Sequence, residues 1–266
     1  MDKDYIKKAI KEDYARAAQT GSGCCKSGCC GQESTKDISM DIGYSRQDLE
    51  RIPQGADLGL GCGNPGALAS IKPGETVLDL GSGAGIDCFI AASRVGSQGK
   101  VIGVDMTPEM IEKAKAFAEK ENYNNVEFIL GEIEDLPVPE GSVDLIISNC
   151  VINLSTRKKE VFEQAFKALK PGGRVVVSDI VLLKDLPQVV MENRSAYTSC
   201  LSGAIRKDRY LELIEQAGFE KIEVLSEDYY PLIFSGLSKL NHPDISKDLE
   251  KAAVSIKIIA FKPSGN

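Results

Sequence analysis

The sequence predicts an α/β protein built on a doubly wound, mostly parallel sheet, and two observations carry that expectation. Short apolar runs alternate with helical patterns from Thr76 to Ile180, and a glycine-rich turn, Gly81-Ser82-Gly83-Ala84-Gly85, joins the first run to the first helix. Strict alternation of strand and helix implies parallel strands joined by crossovers, with helices covering both faces of the sheet.

The elements follow in order. Residues 3 to 19 place Tyr5, Ile6, Ala9, Ile10 and Tyr14 roughly at helical spacing, so a short amphipathic helix is expected to cover an edge of the fold. The segment Gly21 to Gly31 carries Cys24, Cys25, Cys29 and Cys30 among glycines and serines that forbid a packed element, and it reads as a loop. Residues 32 to 66 are expected to be irregular apart from a short helix near Arg46 to Ile52. Val77 to Leu80 is the first strand, Ile86 to Val95 a helix, and Val101 to Asp105 the second strand. Pro108 to Asn122 reads as a helix, with Thr107 as N-cap and proline at the first helical position. Val126 to Leu130 and Val143 to Ser148 are further strands. A helix over Glu160 to Leu169 is stopped by Lys170-Pro171-Gly172-Gly173, and Arg174 to Ile180 is the fifth strand. Beyond Asp185 the chain reads as mostly helical, with Arg206 to Ala217 the clearest case; strands near Lys221 to Ser226 and Ser255 to Phe261 are expected to close the far edge of the sheet. The expected division is a cysteine-rich arm and cap over 1–66, the doubly wound domain over 67–183, and a smaller α+β substrate-binding region over 184–266.

Composition narrows the function. A length of 266 residues suits one sizeable domain with an appendage, and 42% hydrophobic with 27% charged residues is ordinary for a globular chain. A net charge of -7 argues against a nucleic-acid partner. No apolar stretch reaches the roughly 20 residues that cross a bilayer. The first residues, Met1 to Lys8, mix charges of both signs and have no apolar core, so no secretory signal is expected and the cytoplasm is the expected address. In a reducing compartment, eight cysteines are expected to bind metals or do redox work rather than staple the fold. The single histidine, His242, leaves the chain short of the commonest general base.

Glycines between a strand end and a helix start let the backbone turn tightly and approach a ligand closely. A dinucleotide fingerprint asks for glycine three places after the second one, where this chain has Ile86. The spacing G-x-G-x-G, with Asp79 preceding it on the strand, instead resembles the first motif of class I S-adenosylmethionine methyltransferases, whose fold is Rossmann-like. The resemblance implies that Gly81 and Gly83 cradle the cofactor, and that Asp79 holds its methionine ammonium through water. Asp105 ends the second strand, twenty residues past Gly85, where a carboxylate accepts hydrogen bonds from both ribose hydroxyls; its other reading is a helix cap. Met106 would lie on the adenine face, and Glu132 and Ile133, in Gly131-Glu132-Ile133-Glu134-Asp135, would meet the adenine edge. The segment Leu169 to Arg174 resembles the family's structural turn before the fifth strand.

Three cysteines stand at telling places. Cys62 lies in Gly61-Cys62-Gly63-Asn64-Pro65, Cys150 follows the fourth strand in Asn149-Cys150-Val151-Ile152-Asn153-Leu154, and Cys200 lies in Ser199-Cys200-Leu201-Ser202-Gly203-Ala204. Ligands of open parallel sheets bind beyond the carboxyl ends of the strands, so Cys150 is expected to face the cofactor. Taken alone, each of these cysteines, like Cys88, also reads as a small buried hydrophobe. Together the three segments resemble arsenite methyltransferases over about residues 40 to 210. That resemblance implies that Cys62, Cys150 and Cys200 hold trivalent arsenic as thiolates beneath the sulfonium methyl, with Asn149 beside the cofactor. It implies too that a thiol pair forms a disulfide during turnover and that thioredoxin or glutathione restores it. Cys24-Cys25 and Cys29-Cys30 look like the N-terminal cysteine pairs of microbial relatives and suit arsenite capture. Leu60 stands where some relatives place a tyrosine.

Two other readings stay open at this level. One is a methyltransferase of the same fold acting on a quinone or another small organic acceptor. The other is a soft-metal-binding or sensor protein built on the four N-terminal cysteines, although adjacent Cys-Cys pairs three residues apart make a poor tetrahedral template.

Overall fold

The computed structural model describes residues 3–21, 35–187, 190, 201, 203–229 and 252–265. Cys24, Cys25, Cys29, Cys30 and Cys200 lie outside those residues. The described elements begin with helices α1 (Lys3–Thr20), α2 (Thr35–Asp41), α3 (Arg46–Arg51) and α4 (Pro65–Leu68). The alternating region follows as β1 (Thr76–Leu80), α5 (Ile86–Val95), β2 (Lys100–Asp105), α6 (Pro108–Lys120), β3 (Val126–Leu130) and β4 (Val143–Asn149). It continues through α7 (Lys158–Ala168), β5 (Leu169–Leu182), α8 (Lys207–Gln216), β6 (Glu220–Tyr229) and β7 (Ala253–Phe261).

Seven strands form one sheet in the order β3-β2-β1-β4-β5-β7-β6. Strands β1 to β5 are parallel to one another, while β7 lies antiparallel between β5 and β6. The expected doubly wound architecture is therefore present, and the C-terminal segment adds two strands to the same sheet rather than a sheet of its own. Strands β1, β4 and β5 are apolar on consecutive positions because both faces are covered. Leu78, Ile146 and Val177 face a cluster with Phe162 and Tyr210, whereas Val77, Leu145 and Val176 face a cluster with Phe89 and Phe128. Strand β6 is the sheet's outer edge and is mostly exposed; Glu220, Lys221, Glu223, Glu227 and Asp228 give it the charge that discourages edge-to-edge pairing.

Three local expectations change. Thr107 stands at the N-cap of α6, but its side chain makes no capping bond because its hydroxyl is drawn to Asp105 instead. The stretch Lys170-Pro171-Gly172-Gly173 does not precede β5 but lies within it. Leu169 already pairs with Val143, and the next pair is Leu145 with Arg174, so the surplus residues bulge from a continuous strand. The stretch 32–66 holds two short helices besides α3. One of them, α4, is capped by Asn64, whose side chain accepts from the Ala67 amide at 2.9 Å.

Ile146 lies on β4 at the middle of the sheet and is fully buried. Ile146→Ala is expected to destabilise the protein by about 2–5 kcal/mol, read as a lower denaturation midpoint in guanidinium with an unchanged slope.

Candidate active site

A cleft of about 350 Å³ opens at the carboxyl edge of the parallel strands. Its floor is the turn from β1 into α5. Gly81 takes a left-handed φ of 68° and donates its amide to the Val104 carbonyl at 2.8 Å. A Cβ at Gly81 would collide with Val151, so only glycine leaves this approach open. Ser82, whose buried hydroxyl finds no hydrogen-bond partner among the described residues, also lines the cleft.

Asp79, Asp87 and Asp105 line the cleft and are almost wholly buried. Among the described residues, none of the three is in an ion pair. Asp105 accepts from the Gly83 amide at 2.9 Å and from the Thr107 amide at 2.8 Å, so it ties the glycine turn to the start of α6. Asp79 accepts from the Cys88 thiol at 3.3 Å. Asp87 accepts from the Tyr44 hydroxyl at 2.9 and 3.0 Å. Burial pushes all three carboxyls upward; Asp87 also raises Asp79, and Asp87 itself rises to about 6 despite the Tyr44 and Asn149 donors that pull it down. Burial and the Asp87 charge push the Tyr44 hydroxyl well above its ordinary range. A pocket holding three buried acids, none in an ion pair among the described residues, fits a cationic ligand. The sulfonium and ammonium of S-adenosylmethionine meet that requirement, and the clearance over Gly81 and the orphaned Ser82 hydroxyl agree with it.

Of the other residues expected at the cofactor, Met106, Ile133 and Asn149 line the cleft. Glu132 is not among the lining residues; its carboxylate pairs with Lys7 at 2.5 Å and lies 3.8 Å from Arg157. The Lys7 pair ties α1 to the β3 loop, and Ile6, Ile10 and Tyr14 of that helix also border the cleft. The N-terminal helix therefore covers the site rather than a neutral edge.

Asn149 ends β4 and connects this cleft to the cysteines. Its Nδ2 donates to the Gly63 carbonyl at 2.6 Å and to the Tyr44 hydroxyl at 2.9 Å, and its Oδ1 accepts from the Cys62 amide at 3.1 Å. The next residue, Cys150, adopts a left-handed φ of 59° with its amide bonded to the Ser178 carbonyl at 2.8 Å. That conformation costs a non-glycine residue about 1–2 kcal/mol, and it turns the chain out of the strand. Cys62 and Cys150, 88 residues apart in sequence, form a disulfide with a Cα–Cα distance of 5.8 Å. Both are buried, and Cys150 lines the cleft. Cys88 is a buried free thiol.

Sequence reasoning missed Tyr44, Asp87, Asp179 and Tyr210. A carboxylate of Asp179 and the sulfurs of Cys62 and Cys150 lie within 4.8 Å of one another. Asp179 is fully buried on β5 and accepts from the Tyr210 hydroxyl at 2.9 Å. Burial raises it to about 7, against the Tyr210 and backbone donors and the charge of Lys158. The one signal available was an acid inside the apolar run Val175 to Leu182.

A mostly parallel sheet of this order, with an antiparallel β7, a glycine turn and acidic residues near the ends of β1 and β2, defines a class I methyltransferase, and a methyltransferase-domain family matches residues 71–218. The arsenite methyltransferase of Halobacterium salinarum is 43% identical over 272 residues, covering 99% of this chain and 68% of that protein. The arsenite methyltransferase of Aquipseudomonas alcaligenes is 34% identical over 87% of this chain and 67% of its own length. The crystal structure of an arsenic(III) S-adenosylmethionine methyltransferase from Chlamydomonas reinhardtii superposes with a TM-score of 0.66 at 32% identity, covering 88% of this chain and 76% of that one. The chain belongs to the arsenite methyltransferase family. No described helix is long and apolar enough to cross a membrane.

A cation binds the ionised form of Asp87, so protonation must oppose it. S-adenosylmethionine affinity, measured calorimetrically from pH 5 to 8, is expected to rise with pH, with Asp87 ionising around 6 and the raised Asp79 adding to the rise, each by at most about tenfold per pH unit. Asp87→Asn is expected to bind more weakly at pH 7 and to flatten the profile between pH 5 and 7.

Proposed function

We propose that this protein methylates trivalent arsenic held by cysteine thiolates. The observation that carries the reading is the meeting of Cys62 and Cys150 at the carboxyl end of β4, with Cys150 lining the same cleft as the three buried acids. Bound S-adenosylmethionine would supply a methyl group activated by its sulfonium. Gly81, Gly83, Asp79 and Asp105 would hold that cofactor, with Met106 and Ile133 beside its adenine. Glu132, paired with Lys7, would act on it by fixing α1 over the cleft.

The acceptor needs no general base, because arsenic bonded to three sulfurs keeps an exposed lone pair. Arsenite is soft and exchanges its hydroxyls for thiolates, releasing water. Cys62 and Cys150 supply two of these in their reduced form. Cys200 is the third by family resemblance. Methyl transfer formally oxidises arsenic. Cys62 and Cys150 then leave it together as a disulfide, their two As–S bonds breaking so that one electron pair joins the sulfurs and the other returns to arsenic as its lone pair. An external thiol, losing its proton, takes the vacated position on the trivalent product. The structure shows the cysteine pair in its oxidised form. An external thiol, glutathione or thioredoxin, would reduce it for the next round. The four N-terminal cysteines, Cys24, Cys25, Cys29 and Cys30, would capture arsenite ahead of the site, and the cytoplasm would be the setting.

The test is incubation of the reduced protein with arsenite, S-adenosylmethionine and a thiol reductant, followed by chromatographic separation of arsenicals. Methylarsenicals are expected from the wild-type chain. Cys150→Ser is expected to lower turnover by about a hundredfold or more while leaving S-adenosylmethionine binding within twofold. Product at the wild-type rate from Cys150→Ser would exclude the thiolate mechanism.

A further inference from the structure

One buried carboxylate beside the disulfide has no part in the scheme above. Asp179 is fully buried; its Oδ1 accepts from the Ile180 amide at 3.0 Å and its Oδ2 from the Tyr210 hydroxyl at 2.9 Å, and the Asn153 backbone and the charge of Lys158 also favour its ionised form. Tyr210 is itself fully buried on α8 and packs edge-on against Phe162. Two donors aimed at the two oxygens suit an anion. The structure also places this carboxylate with both sulfurs, all within 4.8 Å of one another. Thiolates beside an ionised carboxylate are repelled by its charge, whereas a positive group carried on the same sulfurs would be attracted to it.

We infer that Asp179, in its ionised form, is the counter-charge for the cation that forms on arsenic during methyl transfer, positioned there by Tyr210 and the Ile180 amide. The inference rests on the arsenic reading given above. In the step itself the arsenic lone pair forms the As–C bond while the methyl C–S bond breaks, its electron pair returning to sulfur as a neutral thioether. The positive charge passes from sulfonium to arsenic, and no proton moves. Before the step, arsenic bonded to three thiolates is neutral, and Asp179 interacts with it weakly. In the transition state the charge arrives next to a preorganised anion in a dry interior, where such an interaction counts most. Asp179 therefore favours the transition state over the ground state, which is the condition for raising kcat rather than lowering KM. The acids of the cofactor cleft act at the other end of the transfer, where the positive charge starts.

Asp179→Asn removes the charge and keeps nearly the same shape, and its effect is read in three measurements. In the reduced protein without arsenic or cofactor, at about pH 8 or above so that Asp179 is mostly ionised, iodoacetamide is expected to alkylate Cys62 and Cys150 several times faster in the variant, since a neighbouring anion disfavours thiolate; buried Cys88 staying unmodified reports an intact fold. Affinities for arsenite and for S-adenosylmethionine are expected to stay within about twofold of the wild type, while single-turnover methyl transfer slows on the order of tenfold to a hundredfold. Tyr210→Phe leaves the carboxylate and removes one of its donors, and it gives a severalfold loss in the same direction if Asp179→Asn does not fold. Methyl transfer at the wild-type rate in Asp179→Asn, or a loss explained by arsenite affinity alone, overturns the counter-charge. No methylarsenical from the wild-type protein overturns the arsenic reading, and this inference with it.

Discussion

The carboxamide of Asn149 is the joint on which the site depends. One side chain takes the Cys62 amide and the Gly63 carbonyl together, and so it pins the loop that carries one sulfur to the strand end that carries the other. The same Nδ2 reaches Tyr44, whose hydroxyl serves Asp87 in the cofactor cleft. Methyl donor and acceptor must meet in line and at close range, and in the proposed mechanism both sides would be referred to one side chain at the end of a central strand. Gly61 shows how tight the joint is, since a Cβ there would come within 2.7 Å of the Asn149 Nδ2.

Around that joint the sheet supplies rigidity and the loops supply chemistry. β4 sits between β1 and β5, so the glycine turn after β1, Cys150 after β4 and Asp179 on β5 are set by hydrogen-bonded register. The left-handed turn at Cys150 is a strained conformation kept by its surroundings: the Ser178 carbonyl holds its amide, and the apolar cluster of Leu154, Ile180, Leu182 and Leu201 encloses its side chain. The N-terminal helix closes the opposite side of the cleft through the Lys7–Glu132 pair and through Lys113, which donates to the Ala18 carbonyl.

Much of this was legible in the sequence where the signal was local. The strands from β1 to β5 and the helices between them announced themselves by alternating pattern, and α5 runs over the residues expected for it. The glycine turn and the acids after it could be placed because their spacing along the chain is itself the motif. The short helices α2 and α4 were missed because each spans two turns or fewer, too little to show a period. Pairings across the fold left no local trace. Cys62 and Cys150 were linked only by resemblance to known proteins, and nothing in the sequence around Tyr44 says that it meets Asp87. Asp87 reads locally as an acid suited to a helix N-terminus, which hides its place in the cleft. The turn expected before β5 became a bulge because Leu169, ahead of it, already finds Val143 across the ladder.

The three acids of the cleft have one more consequence, for ionic strength. The chain's net charge of -7 belongs mainly to its surface, where dissolved salt screens it over about 8–10 Å. Asp79, Asp87 and Asp105 lie beneath that surface, almost out of reach of solvent ions. The attraction that draws a cationic donor toward the protein from a distance should therefore fade in brine, while the attraction that holds it once docked should not. Capture and retention respond differently to salt, and a cell of changing salinity would alter how fast this enzyme loads far more than how firmly it grips.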